Sequence, residues 1–149
     1  MTNIDKSPKI SDAKKTQYKG EAHFLRGLYY FNLVRLFGDV PWIDKQQTAS
    51  DDLQVSRTSK DIVYQHIIDD FSDAASMLPA VYENTTDIGR ATKGAAFGLL
   101  AKVYLTLKRY NETLVAIDSV MNLGVYSLNR KYEWNFSDLR ENGPESLFE

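Results

Sequence analysis

Pairs of acidic side chains are the first residues in this sequence whose chemistry needs attention, because glycoside hydrolysis uses two carboxyl groups that converge on one bond. Asp69 and Asp70 are neighbours, so on a helix they would point about 100° apart. Asp51 and Asp52 stand in a polar stretch that reads as a loop. We therefore expect both pairs to be solvated and neither to form an active site.

The histidines and the missing cysteine restrict the remaining chemistry. The sequence holds two histidines, His23 and His66, and no cysteine, which excludes thiolate nucleophiles, disulfides and cysteine-based metal centres from this chain. No nucleophile elbow, phosphate-binding glycine loop or HExxH motif occurs. We expect no catalytic residue, no cofactor and no metal site, and we expect His66 to be a packed or surface side chain.

Aromatic residues make up 12% of the chain, and three of them stand where a ligand could reach them. Trp42 lies in a polar loop, and Tyr132 and Trp134 lie in a polar, irregular segment. Flat rings stack on the apolar faces of sugars, while nearby amides and carboxylates bind the hydroxyl groups. Trp42, Tyr132 and Trp134 are therefore the candidate ligand-binding residues, and the alternative is that each ring plugs the end of a helix pair.

Charge and hydropathy narrow the class of partner. The 149 residues include 18 basic and 20 acidic side chains, for a net charge of −2, and no block of like charge. A surface that follows nucleic-acid phosphates is therefore not expected. The longest apolar-leaning stretch, residues 94–107, contains Lys102 and is too short to span a membrane.

Hydrophobic periodicity predicts four helices, over residues 12–37, 59–77, 93–108 and 112–122. The first is apolar on nearly every side, so we predict that it is buried all round. Its predicted stripe is Ala22, Leu25, Tyr29, Leu33 and Leu36. The stripe of the second helix is Val63, Ile67, Phe71, Ala74 and Leu78, and that of the fourth is Leu114, Ile117 and Met121.

Polar residues and glycine mark the predicted helix ends. Ser11 and Thr92 are the expected N-caps of the first and third helices. Thr58 with Asp61 resembles a capping box for the second helix. Gly38 is expected to end the first helix.

The third helix carries half of a repeat signature. Phe97, Leu100, Ala101 and Tyr104 match the aromatic-x2-Leu-small-x2-Tyr pattern of a tetratricopeptide first helix. The helix that follows lacks the matching second half, although the short connection between the two predicts an antiparallel hairpin. The predicted fold class is all-α, with irregular tetratricopeptide-like helical pairs and long loops.

An ordered series of motifs resembles the SusD-like (RagB/SusD) family. The longest motif, residues 20–41, reads GEAHFLRGLYYFNLVRLFGDVP. The others follow in the order of the family, at residues 56–57, 63–64, 67–70, 89–96, 99–105 and 145–149. On these motifs the chain is identified as a member of the family, and residues 1–149 resemble an internal fragment from its N-terminal half, a single partial domain.

The resemblance implies a function. SusD-like proteins are outer-membrane nutrient-binding lipoproteins of Bacteroidota, which bind oligosaccharides or other nutrients without cleaving them. The implied partners are an oligosaccharide or polysaccharide ligand and a SusC-type TonB-dependent transporter. The implied location is the cell outer membrane, reached through a lipid anchor that this chain does not contain. The family supplies no motif for the ligand contacts. The assignment of Trp42, Tyr132 and Trp134 as ligand-binding residues therefore depends on side-chain chemistry alone.

Two other functions stay open at this point. One is a tetratricopeptide-like adaptor that binds peptide segments in a helical groove, which the degenerate repeat and the long loop over residues 38–57 disfavour. The other is part of a carbohydrate-active enzyme whose acid and base lie partly outside these residues. Release of reducing sugar from a glycan would support the enzyme.

Overall fold

Four α-helices form the framework of the computed structural model, which describes residues 3–48, 50 and 53–148. Helix α1 spans Asp12–Phe37, α2 spans Lys60–Met77, α3 spans Lys93–Thr106 and α4 spans Tyr110–Met121. Each helix packs on the next one along the chain. Short 3-10 helices occur at Ile4–Lys6, Thr85–Asp87, Tyr132–Phe136 and Asp138–Arg140. The fold is all-helical over the described residues, in agreement with the predicted fold class.

Helix α1 begins and ends at the residues that the sequence indicates. The side chain of Ser11 accepts a hydrogen bond from the backbone N–H of Lys14 at 3.4 Å. At the other end Gly38 has φ 69°, a left-handed conformation that suits glycine. Its N–H donates to the carbonyl of Val34 at 3.0 Å, which satisfies one of the last carbonyls of the helix.

The start of α2 is capped from a distance, so the predicted capping box is wrong. Asp39 Oδ1 accepts the backbone N–H of Lys60 at 2.8 Å, whereas Ser59 makes no side-chain cap. Asp39 reaches this position because Val40 and Thr58 form an antiparallel bridge, in which the N–H of Thr58 donates to the carbonyl of Val40 at 3.0 Å. The cap therefore comes from tertiary structure and not from the local sequence.

The α3–α4 connection is a tight turn. Thr92 caps α3 as predicted, accepting the N–H of Ala95 at 3.1 Å. Helix α3 ends two residues before the predicted end because Lys108 turns the chain at φ 59°. The N–H of Arg109 then donates to the carbonyl of Tyr104 at 2.9 Å. Helix α4 consequently begins at Tyr110, two residues earlier than expected.

The core lies chiefly between α1 and α2. All five residues of the predicted α2 stripe are buried: Val63, Ile67, Phe71, Ala74 and Leu78. They meet Phe24, Phe31 and Val34 of α1 in one cluster. Gly27 lets the helices approach closely, since a Cβ atom there would lie 3.1 Å from the Phe71 ring. Burial of these large side chains is the main source of stability.

The buried face of α1 is not the predicted stripe. Tyr29 and Leu36 are 64% and 75% exposed, and Leu25 and Leu33 are also exposed. The prediction that α1 is buried all round is therefore wrong for the described structure. Gly20 and Gly27 lie on the face that α2 approaches, so the close contact forms there.

Helix α4 also buries small residues in place of its predicted stripe. Thr113 and Ala116 are buried, while Leu114, Ile117 and Met121 are exposed. Helix α3 packs on α4. The buried residues of α3 are mostly alanine and glycine, and such small side chains permit two helices to approach closely.

Among the described residues, no helix combines the length and the apolar character needed to cross a bilayer.

Candidate functional site

Trp42 packs against side chains of α1 and α2. Its indole is half-buried, and the His66 ring stacks on it at a centroid distance of 4.5 Å and an interplanar angle of 18°. The centroid of the Tyr30 ring lies 4.3 Å from that of the Trp42 ring, and Arg26 Cζ lies 4.9 Å from the Trp42 centroid. The N–H of Ile43 donates to the Tyr30 hydroxyl at 2.9 Å. A sugar that stacked on Trp42 would compete with these three protein groups for the ring faces.

Asp70 lies at the centre of a buried charge network. It is 2% exposed, and Arg26 Nε and Nη2 donate to its two carboxylate oxygens at 2.8 and 2.6 Å. His23 Nδ1 lies 2.7 Å from Oδ1 of Asp70. Burial raises the pKa of Asp70, but the hydrogen bonds from His23 and Arg26 outweigh it and hold the pKa below its usual value.

The expectation that both members of the Asp69–Asp70 pair are solvated is thus wrong for Asp70. Asp69 is exposed, as expected. The available signal was the position of Asp70, three residues after the buried Ile67 and on the same helix face. An aspartate that accepts hydrogen bonds from an arginine and a histidine stays charged, so its geometry suits an ion pair with Arg26 and not a general acid. The Asp51–Asp52 pair lies outside the described residues.

A second polar cluster joins the chain before α3 to α1. Arg90 Nε and Nη2 donate to the two carboxylate oxygens of Glu21 at 2.9 and 2.7 Å. The Tyr82 hydroxyl lies 3.2 Å from Glu21 Oε1 and 2.9 Å from the carbonyl of Ala91. Burial and the Glu21 carboxylate raise the pKa of Tyr82 to about 12. These groups fix the loop between α2 and α3.

Tyr132 and Trp134 lie on the 3-10 helix Tyr132–Phe136. Among the helices of the described structure, this one contacts only the next 3-10 helix. Tyr132 is 79% exposed, and its ring meets that of Phe136 edge to face at 5.2 Å. Trp134 is half-buried, with Arg140 Cζ 3.7 Å from its ring centroid. Tyr132 therefore presents most of its ring to solvent, whereas one face of Trp134 is covered.

Amide groups accompany these two rings. Asn129 Nδ2 donates to Asn135 Oδ1, and the backbone N–H of Asn129 donates to Glu145 Oε2 at 2.8 Å. Lys131 and Glu133 form an exposed ion pair at 3.3 Å. Amides and charged groups beside an exposed ring are the chemistry that binds hydroxyl-rich ligands.

An open cleft of about 350 Å³ lies beside the segment that follows Trp42. Its walls are the start of the chain, the N-terminal half of α1 and the segment Asp44, Lys45 and Gln46. Asn3 Nδ2 donates to Gln46 Oε1 at 2.8 Å across it.

The three predicted ligand-binding residues lie in two separate places. Trp42 packs on α1 and α2, whereas Tyr132 and Trp134 lie in the C-terminal segment.

Comparison with known proteins places the chain in a family. A SusD-like family model, described as starch-binding and associating with the outer membrane, matches residues 2–105. A SusD-like protein of Bacteroides ovatus is 36% identical over 102 residues, which cover 68% of this chain and 18% of that protein. The crystal structure of a SusD-like protein from Bacteroides fragilis superposes with a TM-score of 0.87 at 35% identity, covering 94% of this chain and 28% of that one.

A laminarin-binding SusD-like protein also superposes, with a TM-score of 0.84 at 28% identity, covering 95% of this chain and 32% of that one. The chain spans between 18% and 30% of the length of the curated relatives that it matches. The family and this relative are described by what they bind and not by a reaction. The matched family model, the shared helical fold and the collinear motifs agree, and the chain belongs to the SusD-like family.

Proposed function

We propose that the protein binds oligosaccharides or other nutrients at the outer-membrane surface without cleaving them, and that it passes them to a SusC-type TonB-dependent transporter. The observation that carries this proposal is the superposition, over 95% of the chain, on a SusD-like protein that binds laminarin. The family match over residues 2–105 supports the same class of ligand. We further propose that a lipid anchor holds the protein at the membrane.

The state of two paired carboxylates, Asp70 and Glu21, supports binding over hydrolysis. Asp70 is paired with Arg26 and His23, and Glu21 is paired with Arg90. Each of these carboxylates is held in its charged form, whereas the acid of a glycosidase needs a raised pKa. Family membership also favours the nutrient-binding protein over the tetratricopeptide-like adaptor.

The proposed ligand contacts are Tyr132, Trp134 and Trp42. Tyr132 offers the most open ring, because it is 79% exposed and meets the Phe136 ring edge to face. Trp134 offers the ring face opposite Arg140. Trp42 offers less, since His66, Tyr30 and Arg26 lie against it. We therefore rank Tyr132 first as a sugar platform.

Titration calorimetry of the protein as cells make it tests the binding step, with laminarin and soluble starch as probes. We expect saturable heat with at least one probe and no new reducing ends after long incubation. Tyr132→Ala is expected to weaken binding by more than about 1 kcal/mol, the effect of truncating an aromatic side chain that anchors a ligand. Leu139→Ala is the matched control, because Leu139 is 95% exposed and on the neighbouring 3-10 helix. Release of reducing sugar would contradict the proposal.

Two further measurements test location and delivery. Protease added to intact cells should remove the protein from the outer-membrane fraction if it faces outwards. Affinity purification from detergent-solubilised membranes should recover a TonB-dependent transporter in stoichiometric amount. A protein that purifies alone from the soluble fraction would contradict both parts.

A further inference from the structure

One continuous series of contacts leads from a buried charge to the Trp42 indole. His23 and Arg26 of α1 both contact the carboxylate of Asp70 in α2. The same Arg26 lies over the Trp42 ring, with Cζ 4.9 Å from the centroid. The series therefore joins two helices to a loop residue.

The shape of the guanidinium makes this series directional. Its Nε and Nη2 atoms donate side by side to Asp70 at 2.8 and 2.6 Å, which fixes the plane of the group. Burial strengthens the constraint, because Asp70 is 2% exposed and has no water to replace a lost partner. A guanidinium fixed in this way keeps its Cζ atom 4.9 Å from the centroid of the Trp42 ring, and the cation–π attraction depends on that placement.

We propose that Asp70, acting through Arg26, is the positioning residue for Trp42 and for the segment that follows it. That segment, Asp44 to Gln46, forms one wall of the 350 Å³ cleft beside α1. Loss of the carboxylate releases Arg26, loosens the indole and lets this wall move. The proposal depends on the proposed function only in so far as Trp42 or the cleft contacts a ligand. Its test uses no glycan, so it can fail or succeed independently of the proposed function.

Fluorine NMR of the protein as cells make it, labelled with 5-fluorotryptophan, reports the environment of the indole. The Trp42 resonance is the one that Trp42→Phe removes. In Asp70→Asn we expect this resonance to move towards the unfolded position or to broaden. We also expect trypsin to cut after Lys45, which is exposed, severalfold faster than in the parent protein. Arg26→Lys keeps the charge but loses the planar fork, and should give a smaller change in the same direction.

Val63→Ala separates positioning from general instability. Val63 is fully buried in α2, seven residues before Asp70, and its aliphatic side chain can form no hydrogen bond or ion pair with the charged groups of the series. We expect it to lower the melting temperature while leaving the Trp42 resonance and the rate of cleavage after Lys45 unchanged. An unchanged resonance and cleavage rate in both Asp70→Asn and Arg26→Lys would overturn the proposal, as would equal changes in Val63→Ala. If Asp70→Asn does not fold, Arg26→Lys decides the result.

Discussion

Arg90 donates two hydrogen bonds of similar length to the carboxylate of Glu21, 2.9 Å from Nε to Oε1 and 2.7 Å from Nη2 to Oε2. The two residues are 69 positions apart in the sequence. The pair fastens the chain that precedes α3 to the first half of α1. The Tyr82 hydroxyl also donates to Glu21, so one carboxylate binds both the Arg90 guanidinium and a phenol. The loop between α2 and α3 is thereby tied to the helix that carries the longest family motif.

Arg90→Lys should lower the free energy of unfolding by about 1 kcal/mol, because an ammonium cannot reproduce the two-point contact. Urea denaturation measures the change. Lys131→Gln is the control, since its pair with Glu133 is exposed on both sides and should contribute less than about 0.5 kcal/mol. Equal effects of the two substitutions would show that the contact with Glu21 adds nothing to an ordinary surface pair.

Tyr82 should lose its phenolic proton late. Its pKa is raised to about 12 from an ordinary 10.0, so the folded state binds the phenolic proton more tightly than the unfolded chain does. The stability that Tyr82 contributes is present below the ordinary value and is lost as the pH rises towards the folded pKa. Alkaline titration by ultraviolet absorbance should show a late step that Tyr82→Phe removes. A titration unchanged by Tyr82→Phe would refute the assignment.

Asp70 should make the protein sensitive to acid. Its folded pKa lies below the usual value of 3.8, so its contribution is present above that value and is lost as the pH falls through the folded pKa. At neutral pH, Asp70→Asn should cost about 3–5 kcal/mol, because Arg26 is left without its buried partner. Unfolding measured at several pH values should show a gap between parent and variant that narrows on acidification. A constant gap would contradict the ion pair as its source.

Gly27→Ala should destabilise the α1–α2 contact by about 1–3 kcal/mol, the usual cost of overpacking. The new methyl group would lie 3.1 Å from the Phe71 ring. Adding Phe71→Leu to Gly27→Ala should cost less than the two single changes summed, because the smaller side chain relieves the clash. Thermal unfolding of the four proteins measures this coupling, and strict additivity would place the strain elsewhere.

Leu36→Gln and Phe31→Ala test which face of α1 is buried. Leu36 is 75% exposed and Phe31 is 1% exposed. We expect Leu36→Gln to change the free energy of unfolding by less than about 0.5 kcal/mol, and Phe31→Ala to cost about 3–5 kcal/mol. Chemical denaturation gives both values. A large loss in Leu36→Gln would restore the stripe first predicted from periodicity.

Local signals in the sequence predicted the ends of α1 and the buried stripe of α2. Ser11 and Gly38 act through neighbouring backbone groups, so short motifs are sufficient to find them. The start of α2 was predicted to within one residue, but its cap was not, because Asp39 reaches Lys60 only after the bridge has formed. Periodicity also misplaced the contact face of α1, since two glycines and not the largest side chains mark the close approach.

The candidate site was predictable only in part. Sequence chemistry selected Tyr132, which is exposed on its 3-10 helix, and its role in binding remains a prediction. It did not anticipate that Trp42 lies against His66 and Arg26, because these three residues come from different segments. Asp70 was missed although its position three residues after Ile67 indicated burial, because its partners His23 and Arg26 come from a different helix.

The bridge between Val40 and Thr58 has a consequence for how this fold can diversify. Its single hydrogen bond, together with the Asp39 cap, holds both ends of the intervening loop at fixed points on the helices. Each doubling of loop length costs only about 0.6 kcal/mol once the ends are held. Insertions after Gln46 should therefore change the surface beside α1 while leaving the helical scaffold folded.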